Sequence, residues 1–291
     1  MQLPVVVGVD GSEGSLRALD WAATEAARLG LPLRVIHASL WEHYEGLRPT
    51  FDTERPAEQI LAEHLVASAQ ERAQLLHSEV SMVADVQPED PVTALVQESH
   101  EATLVVLGSR GRGRIAGMLL GSVSLALAGR SHCPVVVIPM TPPSTQPKPG
   151  RIVVGIGDAA GPSAAARFAL EQAASRHGEL IAVRAWRCPA HEAMDHPLLS
   201  GSPASAHRQQ AEEHLEEVLA VLDRTGSDAV IERSVVQGPA HQALIEAAVG
   251  AELLVVGARR SSGRHGLNLG PVNHAVLHYA PCPVAVVPNT R

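Results

Sequence analysis

Short runs of aliphatic, mostly β-branched residues alternate along the chain with longer stretches rich in alanine and leucine. The short runs are almost continuously apolar, which is typical of strands buried on both faces of a parallel sheet, and the longer stretches repeat apolar residues at helical spacing. This pattern predicts an α/β fold in which helices cover both faces of a parallel sheet. In the N-terminal half the predicted strands are Val5–Val9, Leu33–Ala38, Val80–Val86, Leu104–Leu107 and Val135–Ile138, and the predicted helices lie near Ser15–Leu29, Ala57–Ser78, Pro91–His100 and Ser122–Arg130.

The second half of the chain repeats the first, and such internal similarity indicates a duplicated structural unit. The repeat predicts two domains of the same fold, at residues 1–140 and 151–291. The segment 141–150 between them contains four prolines and is expected to be a semi-extended linker. The matching segments are 108–139 with 257–288, PVVVGVDGSEGS (4–15) with RIVVGIGDAAGPS (151–163), and VIHA (35–38) with VRAW (183–186).

Composition narrows the classes of function. The formal net charge is −8 and aromatic residues make up 2% of the chain, which argues against a protein that neutralises nucleic-acid phosphates, coats an anionic membrane or stacks on bases. Lys148, in the proline-rich segment, is the sole lysine of the sequence. A mechanism that needs a P-loop or Schiff-base lysine inside a packed domain is therefore excluded.

Cysteine usage and the N-terminus indicate the compartment. The three cysteines include no CxxC pair, so they predict neither a disulfide framework nor a zinc knuckle. No run approaches the ~18 consecutive apolar residues of a membrane span. The N-terminal segment MQLPVVVGVDGS also lacks the pattern of an export signal. We therefore expect a cytoplasmic protein that contacts neither membrane nor nucleic acid.

A glycine-rich segment carries the clearest candidate chemistry. It begins where the fourth predicted strand ends and finishes where the last helix of the first repeat begins. Glycines permit positive φ and close approach of backbone N–H groups to an anion, and a helix N-terminus favours phosphate. Serine hydroxyls and arginines would add donors and positive charge, although a glycine-rich turn followed by a serine helix cap is the alternative. The candidate phosphate-binding residues are Gly108, Ser109, Arg110, Gly111, Arg112, Gly113, Gly121, Ser122, Val123 and Ser124.

A second candidate lies at the carboxyl end of the first predicted strand, where the sequence is Val9-Asp10-Gly11-Ser12. In open parallel sheets, ligands bind outside the carboxyl ends of the strands, at the point where the strand order reverses. If the order is 3-2-1-4-5, strands one and four are neighbours at that point, and Asp10 flanks the glycine-rich segment. A carboxylate there would accept hydrogen bonds from a ribose hydroxyl or a base amino group. Alternatively, Asp10 or Ser12 simply caps the first helix.

Taken together, these segments resemble the universal stress protein family. The resemblance rests on the VVGVDGS first strand, the glycine-rich segment that ends in Gly121-Ser122-Val123-Ser124, and the terminal CPVVVIP strand, and it covers essentially the whole chain in a tandem arrangement. It implies two Rossmann-like domains, each an open five-stranded parallel sheet of order 3-2-1-4-5, that bind ATP with the glycine-rich segment around the phosphates. It also implies that Asp10 lies near the adenine, that Ala38 touches the base, and that a homodimer or intramolecular pseudo-dimer forms through the last strands. Whether Mg²⁺ accompanies the ATP stays open.

The second copy departs from the family pattern. Arg260 stands in place of the second glycine, Pro271 replaces Ser122 and removes a hydroxyl and a backbone N–H, and Asn273 replaces Ser124. These losses weaken phosphate binding by several kcal/mol if each charge-assisted hydrogen bond contributes ~1.5–3 kcal/mol. We expect a tight site in the first copy and a weak, altered or empty one in the second. The residues of this weak second site would be Asp158, Gly257, Gly270 and Asn273.

The sequence favours a nucleotide-dependent stress-response or signalling module over an enzyme. No carboxylate lies in the segment Gly108–Ser124 to act as a general base, and no catalytic residue or metal site is predicted. A slow ATPase, a cyclic-AMP-binding protein of the same fold and a purely structural dimer scaffold stay open as alternatives. Binding of NAD(P) is disfavoured, because Gly155-x-Gly157-x-x-x-Gly161 departs from the dinucleotide-binding spacing.

Overall fold

Among the described residues, two compact units make up the chain, one ending at Met140 and the other beginning at Thr141. Each unit is an α/β sandwich. The computed structural model describes residues 2–39, 57–111, 120–141, 146–158, 163–188, 203–222, 228–258 and 269–289.

The first unit is an open parallel sheet with helices between its strands. The strand order is β3-β2-β1-β4-β5, and all four neighbouring pairs are parallel, which confirms the predicted order. Order reverses between β1 and β4, so their carboxyl ends flank a crevice. The elements are β1 (Val5–Gly8), α1 (Glu13–Leu29), β2 (Leu33–Ala38), α2 (Ala57–Leu76), β3 (Met82–Gln87), α3 (Pro91–Glu98), β4 (Leu104–Gly108), α4 (Ser122–Arg130) and β5 (Val135–Ile138).

The second unit has the same topology. Its strand order is β8-β7-β6-β9-β10, and all neighbouring strands are parallel, so the strand order reverses between β6 and β9. The elements are β6 (Arg151–Gly155), α5 (Ala164–Ala174), β7 (Glu179–Trp186), α6 (Pro203–Ala220), β8 (Val230–Gln237), α7 (Ala240–Ala247), β9 (Leu253–Ala258), α8 (Pro271–Tyr279) and β10 (Val284–Pro288).

The core of the first unit lies along its two central strands and helix α1. The valines of β1 and the first three residues of β4 have no exposed surface. Helix α1 adds Leu19 and a stripe of alanines that are also fully buried, and these small side chains let the helix lie close to the sheet. Burial of each such valine or leucine stabilises the fold by ~1.5–3 kcal/mol. The core therefore fixes the carboxyl ends of β1 and β4 and the start of α1 against one another.

Two sequence predictions about strands need correction. The edge strand β3 begins at Met82 rather than at Val80, because hydrogen bonding to β2 defines it and its side chains are only partly buried. The sequence match of VIHA (35–38) with VRAW (183–186) is wrong by one residue, as the strand register shows. Gly8 of β1 pairs with Ile36, and Gly155 of β6 pairs with Val183, so Ile36 corresponds to Val183. It follows that Arg184, not Ala185, stands at the position of His37, and that Ala185, not Trp186, stands at that of Ala38.

The end of the proline-rich segment is bonded to the second unit. The backbone N–H of Lys148 donates to the carbonyl of Gly250 at 2.9 Å, and its ammonium group donates to Glu179 at 2.9 Å. The expected linker is therefore shorter than residues 141–150. Among the residues that the structure describes, no helix combines the length and the apolar character that crossing a bilayer requires.

Candidate functional site

A cleft of about 400 Å³ opens at the carboxyl ends of β1, β2 and β4 in the first unit. It lies at the point where the strand order reverses, as open parallel sheets lead one to expect. The cleft brings together residues predicted from three distant segments of the sequence. Those that line it are Val9, Asp10, Ala38, Gly108, Arg110, Gly111, Gly121, Ser122, Val123 and Ser124.

The N-terminus of α4 forms one wall of the cleft. Gly121 is the N-cap residue, with extended backbone angles (φ −75°, ψ 154°), and no side chain of the described residues caps this helix end. The first backbone N–H groups of a helix have no partner within the helix, and together with the helix dipole they attract an anion. The N–H of Gly121 donates to the carbonyl of Ser109 at 2.7 Å, which holds the helix start beside Arg110. This wall is therefore suited to phosphate.

One of the two predicted serine donors, Ser124, and the predicted binding residue Ser109 have structural partners in the protein. The hydroxyl of Ser124 is buried and donates to the carbonyl of Gly108 at 2.8 Å. The hydroxyl of Ser109 accepts a hydrogen bond from the backbone N–H of Met140 at 3.1 Å. The expectation that Ser124 adds a hydroxyl donor for phosphate is thus wrong in this arrangement, whereas Ser122 is exposed at the mouth of the cleft.

The glycines are needed for close packing rather than for positive φ. Neither Gly108 nor Gly111 has a positive φ, so the expectation that these glycines adopt a left-handed backbone is wrong. A Cβ on Gly108 would lie 2.6 Å from the backbone carbonyl of Gly14 in α1, and a Cβ on Gly111 would overlap Oδ2 of Asp10. These positions therefore let helix α1 and the Asp10 carboxylate approach the loop. Arg112 and Gly113 lie outside the residues that the structure describes.

Asp10 and Ser12 form the turn that starts helix α1. Ser12 is the N-cap: its hydroxyl oxygen accepts from the N–H of Ser15 at 3.2 Å. Both the N–H and the hydroxyl of Ser12 donate to Oδ1 of Asp10, at 3.0 and 2.5 Å, and Gly11 between them has a positive φ of 77°. The capping role thus belongs to Ser12, while Asp10 also lines the cleft, with its Oδ2 facing Gly111.

His37 is a cleft residue that sequence reasoning missed. Its Nδ1 lies 2.7 Å from the carbonyl of Val9, and because a carbonyl oxygen only accepts, Nδ1 must carry the proton. In the neutral ring Nε2 is then an acceptor, as the partner of one ring nitrogen sets the role of the other. The signal available in the sequence was its position directly before Ala38. The apolar part of the same cleft is lined by Ile36, Pro91, Leu95, Leu107 and Leu120.

The second unit has a smaller crevice, of about 270 Å³, at the equivalent place. Asp158, Gly257 and Asn273 line it, while Gly270 is the N-cap of α8 and precedes Pro271 at the first helical position. Nδ2 of Asn273 donates to the carbonyl of Gly257 at 3.0 Å, which is the bond that the Ser124 hydroxyl makes to Gly108. The change from serine to asparagine therefore preserves a structural bond, and is not the loss of a phosphate donor. Arg260 lies outside the described residues.

The buried cysteines take no part in either crevice. Burial raises the pKa of Cys133 to about 11 and that of Cys282 to about 12, so both thiols are protonated and unreactive near neutral pH. Within the described ranges no cluster of three or more His, Cys, Asp or Glu side chains is arranged to hold a metal ion.

The chain contains two repeated α/β units, and in the first a helix N-terminus forms one wall of a cleft. This combination defines a class of tandem Rossmann-like proteins. Comparison with known proteins places the chain within that class: the universal stress protein family model matches residues 1–139 and 149–288. The chain belongs to the universal stress protein family.

Relatives match over nearly the whole chain. Universal stress protein Rv2005c of Mycobacterium tuberculosis (strain H37Rv) is 36% identical over 302 residues, covering 97% of this chain and 96% of that protein. Universal stress protein Rv1996 of the same strain is 32% identical over 301 residues, covering 98% and 94%. The crystal structure of a universal stress protein from Archaeoglobus fulgidus DSM 4304 matches with a TM-score of 0.70 at 18% identity, over 99% of this chain and 98% of that chain, which shows a shared fold.

Proposed function

We propose that the first unit binds ATP and that its occupancy makes the protein a nucleotide-dependent stress-response module. The observation that carries this proposal is the N-terminus of α4, which forms a wall of the cleft and has no side-chain cap from the part of the chain that the structure describes. A helix end of this kind needs an anionic partner or water, and a phosphate group is a suitable partner.

The shape and chemistry of the cleft support a nucleotide rather than a free anion. Its volume of about 400 Å³ lies within the range of pockets that hold small organic ligands. One part is lined by leucine and isoleucine side chains that suit a base, and the other by the helix end and Arg110. An apolar surface next to an anion-binding wall matches a base joined to phosphates through a ribose.

We assign roles by this division of the cleft. Asp10, held by Ser12 and Gly11, and Ala38 at the end of β2 are proposed to contact the ribose and base. The phosphates are proposed to contact Arg110 and the N–H groups of the first turn of α4, at Ser122, Val123 and Ser124. Gly108, Gly111 and Gly121 keep the loop close enough for those contacts. Arg110 supplies the charge that a P-loop lysine supplies elsewhere, which fits a chain whose sole lysine, Lys148, is paired with Glu179.

We propose binding without significant turnover. Asp10 is engaged by the helix-capping turn, and the described part of the segment Gly108–Ser124 contains no carboxylate that could act as a general base. The second candidate, binding of cyclic AMP, would use the same apolar region with a shorter phosphate arm.

Calorimetry with the intact chain tests the proposal. Titration with ATP, and competition between ATP and cyclic AMP, should give binding in which ATP is preferred, with and without Mg²⁺ in parallel cells. Mass spectrometry of the undenatured protein should detect a co-purified adenine nucleotide. Absence of any binding at millimolar ATP would refute the proposal, and sustained phosphate release above roughly one turnover per minute would favour the slow ATPase.

A further inference from the structure

Position 184 distinguishes the second crevice from the first. The strand pairing places Arg184 where the first unit has His37. Both side chains bond to the equivalent carbonyl: Nδ1 of His37 to Val9 at 2.7 Å, and Nη1 of Arg184 to Ile156 at 3.1 Å. An imidazole in the first unit is therefore replaced by a guanidinium group in the second, at the same contact.

The guanidinium of Arg184 is held on two sides. Besides the carbonyl of Ile156, its Nη2 forms an ion pair with Oδ1 of Asp158. The side chain is 15% exposed, whereas that of Asp158 is 82% exposed. Arg184 and Asp158 line both the crevice and a neighbouring charged cavity of about 630 Å³, so their pair lies between the two spaces.

The guanidinium of Arg184 differs from the imidazole of His37 in charge and in the hydrogen bonds that it can make. A neutral imidazole bonded through Nδ1 offers an acceptor nitrogen to the cleft, but a guanidinium has donors only and is always charged. It is also longer, and the second crevice has about 270 Å³ where the first has about 400 Å³. A base entering the second crevice would have to displace a charged group from two hydrogen-bonded partners.

We propose that Arg184 closes the second crevice to adenine nucleotides, so that the residue at positions 37 and 184 determines which unit binds. This inference rests on the proposed function of the first unit. Because Asp158 is largely exposed, removal of Arg184 leaves no buried unpaired carboxylate, and variants at 184 should fold.

Reciprocal substitutions in the full chain test this, with ATP as the calorimetric probe. His37→Arg should weaken ATP binding ~100-fold or more, whereas the matched His37→Ala, which adds neither charge nor bulk, should weaken it less than ~10-fold. Arg184→His is measured in a chain whose first site is removed by Gly121→Asp. There it should raise the affinity of the second unit at least ~10-fold over Gly121→Asp alone.

The outcomes separate the two proposals. A wild-type chain that binds no ATP overturns the proposed function of the first unit. A wild-type chain with two equal ATP sites, or equal losses in His37→Arg and His37→Ala, overturns the role of this position while leaving ATP binding intact. If Arg184→His brings no gain, or weakens residual binding, Arg184 does not close the crevice.

Discussion

Replacing Gly121 with aspartate introduces a carboxylate at the N-cap of α4, where the proposed function places phosphate. The backbone of Gly121 already has the extended angles of an N-cap residue. A Cβ there would meet the carbonyl oxygen of Ser109 at 3.4 Å and Cα of Arg110 at 3.7 Å, so the side chain fits with little adjustment. Aspartate is among the favoured N-cap residues, because its oxygen accepts from the second and third N–H groups of the helix. Here those groups belong to Val123 and Ser124.

The substitution should therefore change stability and binding in opposite directions. An N-cap aspartate in place of glycine stabilises a helix by a few tenths of a kcal/mol, and its charge near the helix N-terminus adds ~0.3–1 kcal/mol. The same carboxylate occupies two N–H groups that phosphate would use. Two charge-assisted hydrogen bonds at ~1.5–3 kcal/mol each give a loss of about 3–6 kcal/mol, or a 10²–10⁴-fold higher Kd, before charge repulsion is counted.

Calorimetry with ATP and thermal unfolding of the same samples measure both effects. The matched control is Gly270→Asp, at the N-cap of α8, where a Cβ would meet no atom of the described residues within 4 Å. Pro271 at the first helical position has no N–H, but the capping bonds go to the next two residues, so the gain in helix stability should be similar. Gly270→Asp should leave ATP binding by the first unit unchanged.

Unchanged ATP affinity in Gly121→Asp, with a Tm equal to or above that of the wild type, would refute phosphate binding at the start of α4. If Gly121→Asp lowers the Tm and Gly270→Asp does not, the N–H groups at the start of α4 are not available to a capping side chain. They would then not be available to phosphate either. Equal losses of affinity in Gly121→Asp and Gly270→Asp would show that the effect does not come from the first cleft.

Two further predictions concern packing and reactivity. Gly108→Ala should lower the free energy of unfolding of the first unit by ~1–3 kcal/mol in urea denaturation, because its Cβ would lie 2.6 Å from the backbone of helix α1. The control Gly257→Ala, whose Cβ would lie 3.6 Å from the nearest atom, should have little effect. Equal effects of the two substitutions would contradict the packing argument. After labelling of the native protein with iodoacetamide at pH 8, peptide mass spectrometry should find Cys188 modified and Cys133 and Cys282 protected. Burial raises the pKa of Cys133 to about 11 and that of Cys282 to about 12, so at pH 8 at most about one in 10³ of these thiols is a thiolate. Rapid labelling of either buried thiol would contradict this prediction.

Much of the fold follows from the sequence pattern alone. Strand β2 and strand β5 have the predicted bounds, and the helix at Ser122–Arg130 begins and ends where expected. These elements are predictable because buried parallel strands need continuous apolar runs and helices need an apolar stripe. The edge strand β3 begins two residues later and ends one residue later than predicted, since an edge strand is only partly buried and its apolar pattern is correspondingly weak.

The candidate site was located from the sequence, but the roles of its residues were not. The glycine-rich segment and Asp10 do meet at one cleft, as the carboxyl ends of neighbouring parallel strands must. Which hydroxyl is available to a ligand depends on local partners, and the hydroxyl of Ser124 donates its hydrogen bond to the carbonyl of Gly108. Likewise, the glycines are required by the approach of helix α1 and Asp10, which are distant in sequence.

By itself the sequence determined the duplicated α/β architecture, the absence of a usable lysine and the position of the glycine-rich segment, because these depend on composition and local pattern. The correspondence of Arg184 with His37 was decided by the tertiary structure. Sequence similarity alone aligns β2 with β7 one residue away from the correspondence that the structure shows. Backbone hydrogen bonds from β2 to β1 and from β7 to β6 set that correspondence. A shift of one residue moves every side chain of a strand to the opposite face, and so changes which group enters each crevice.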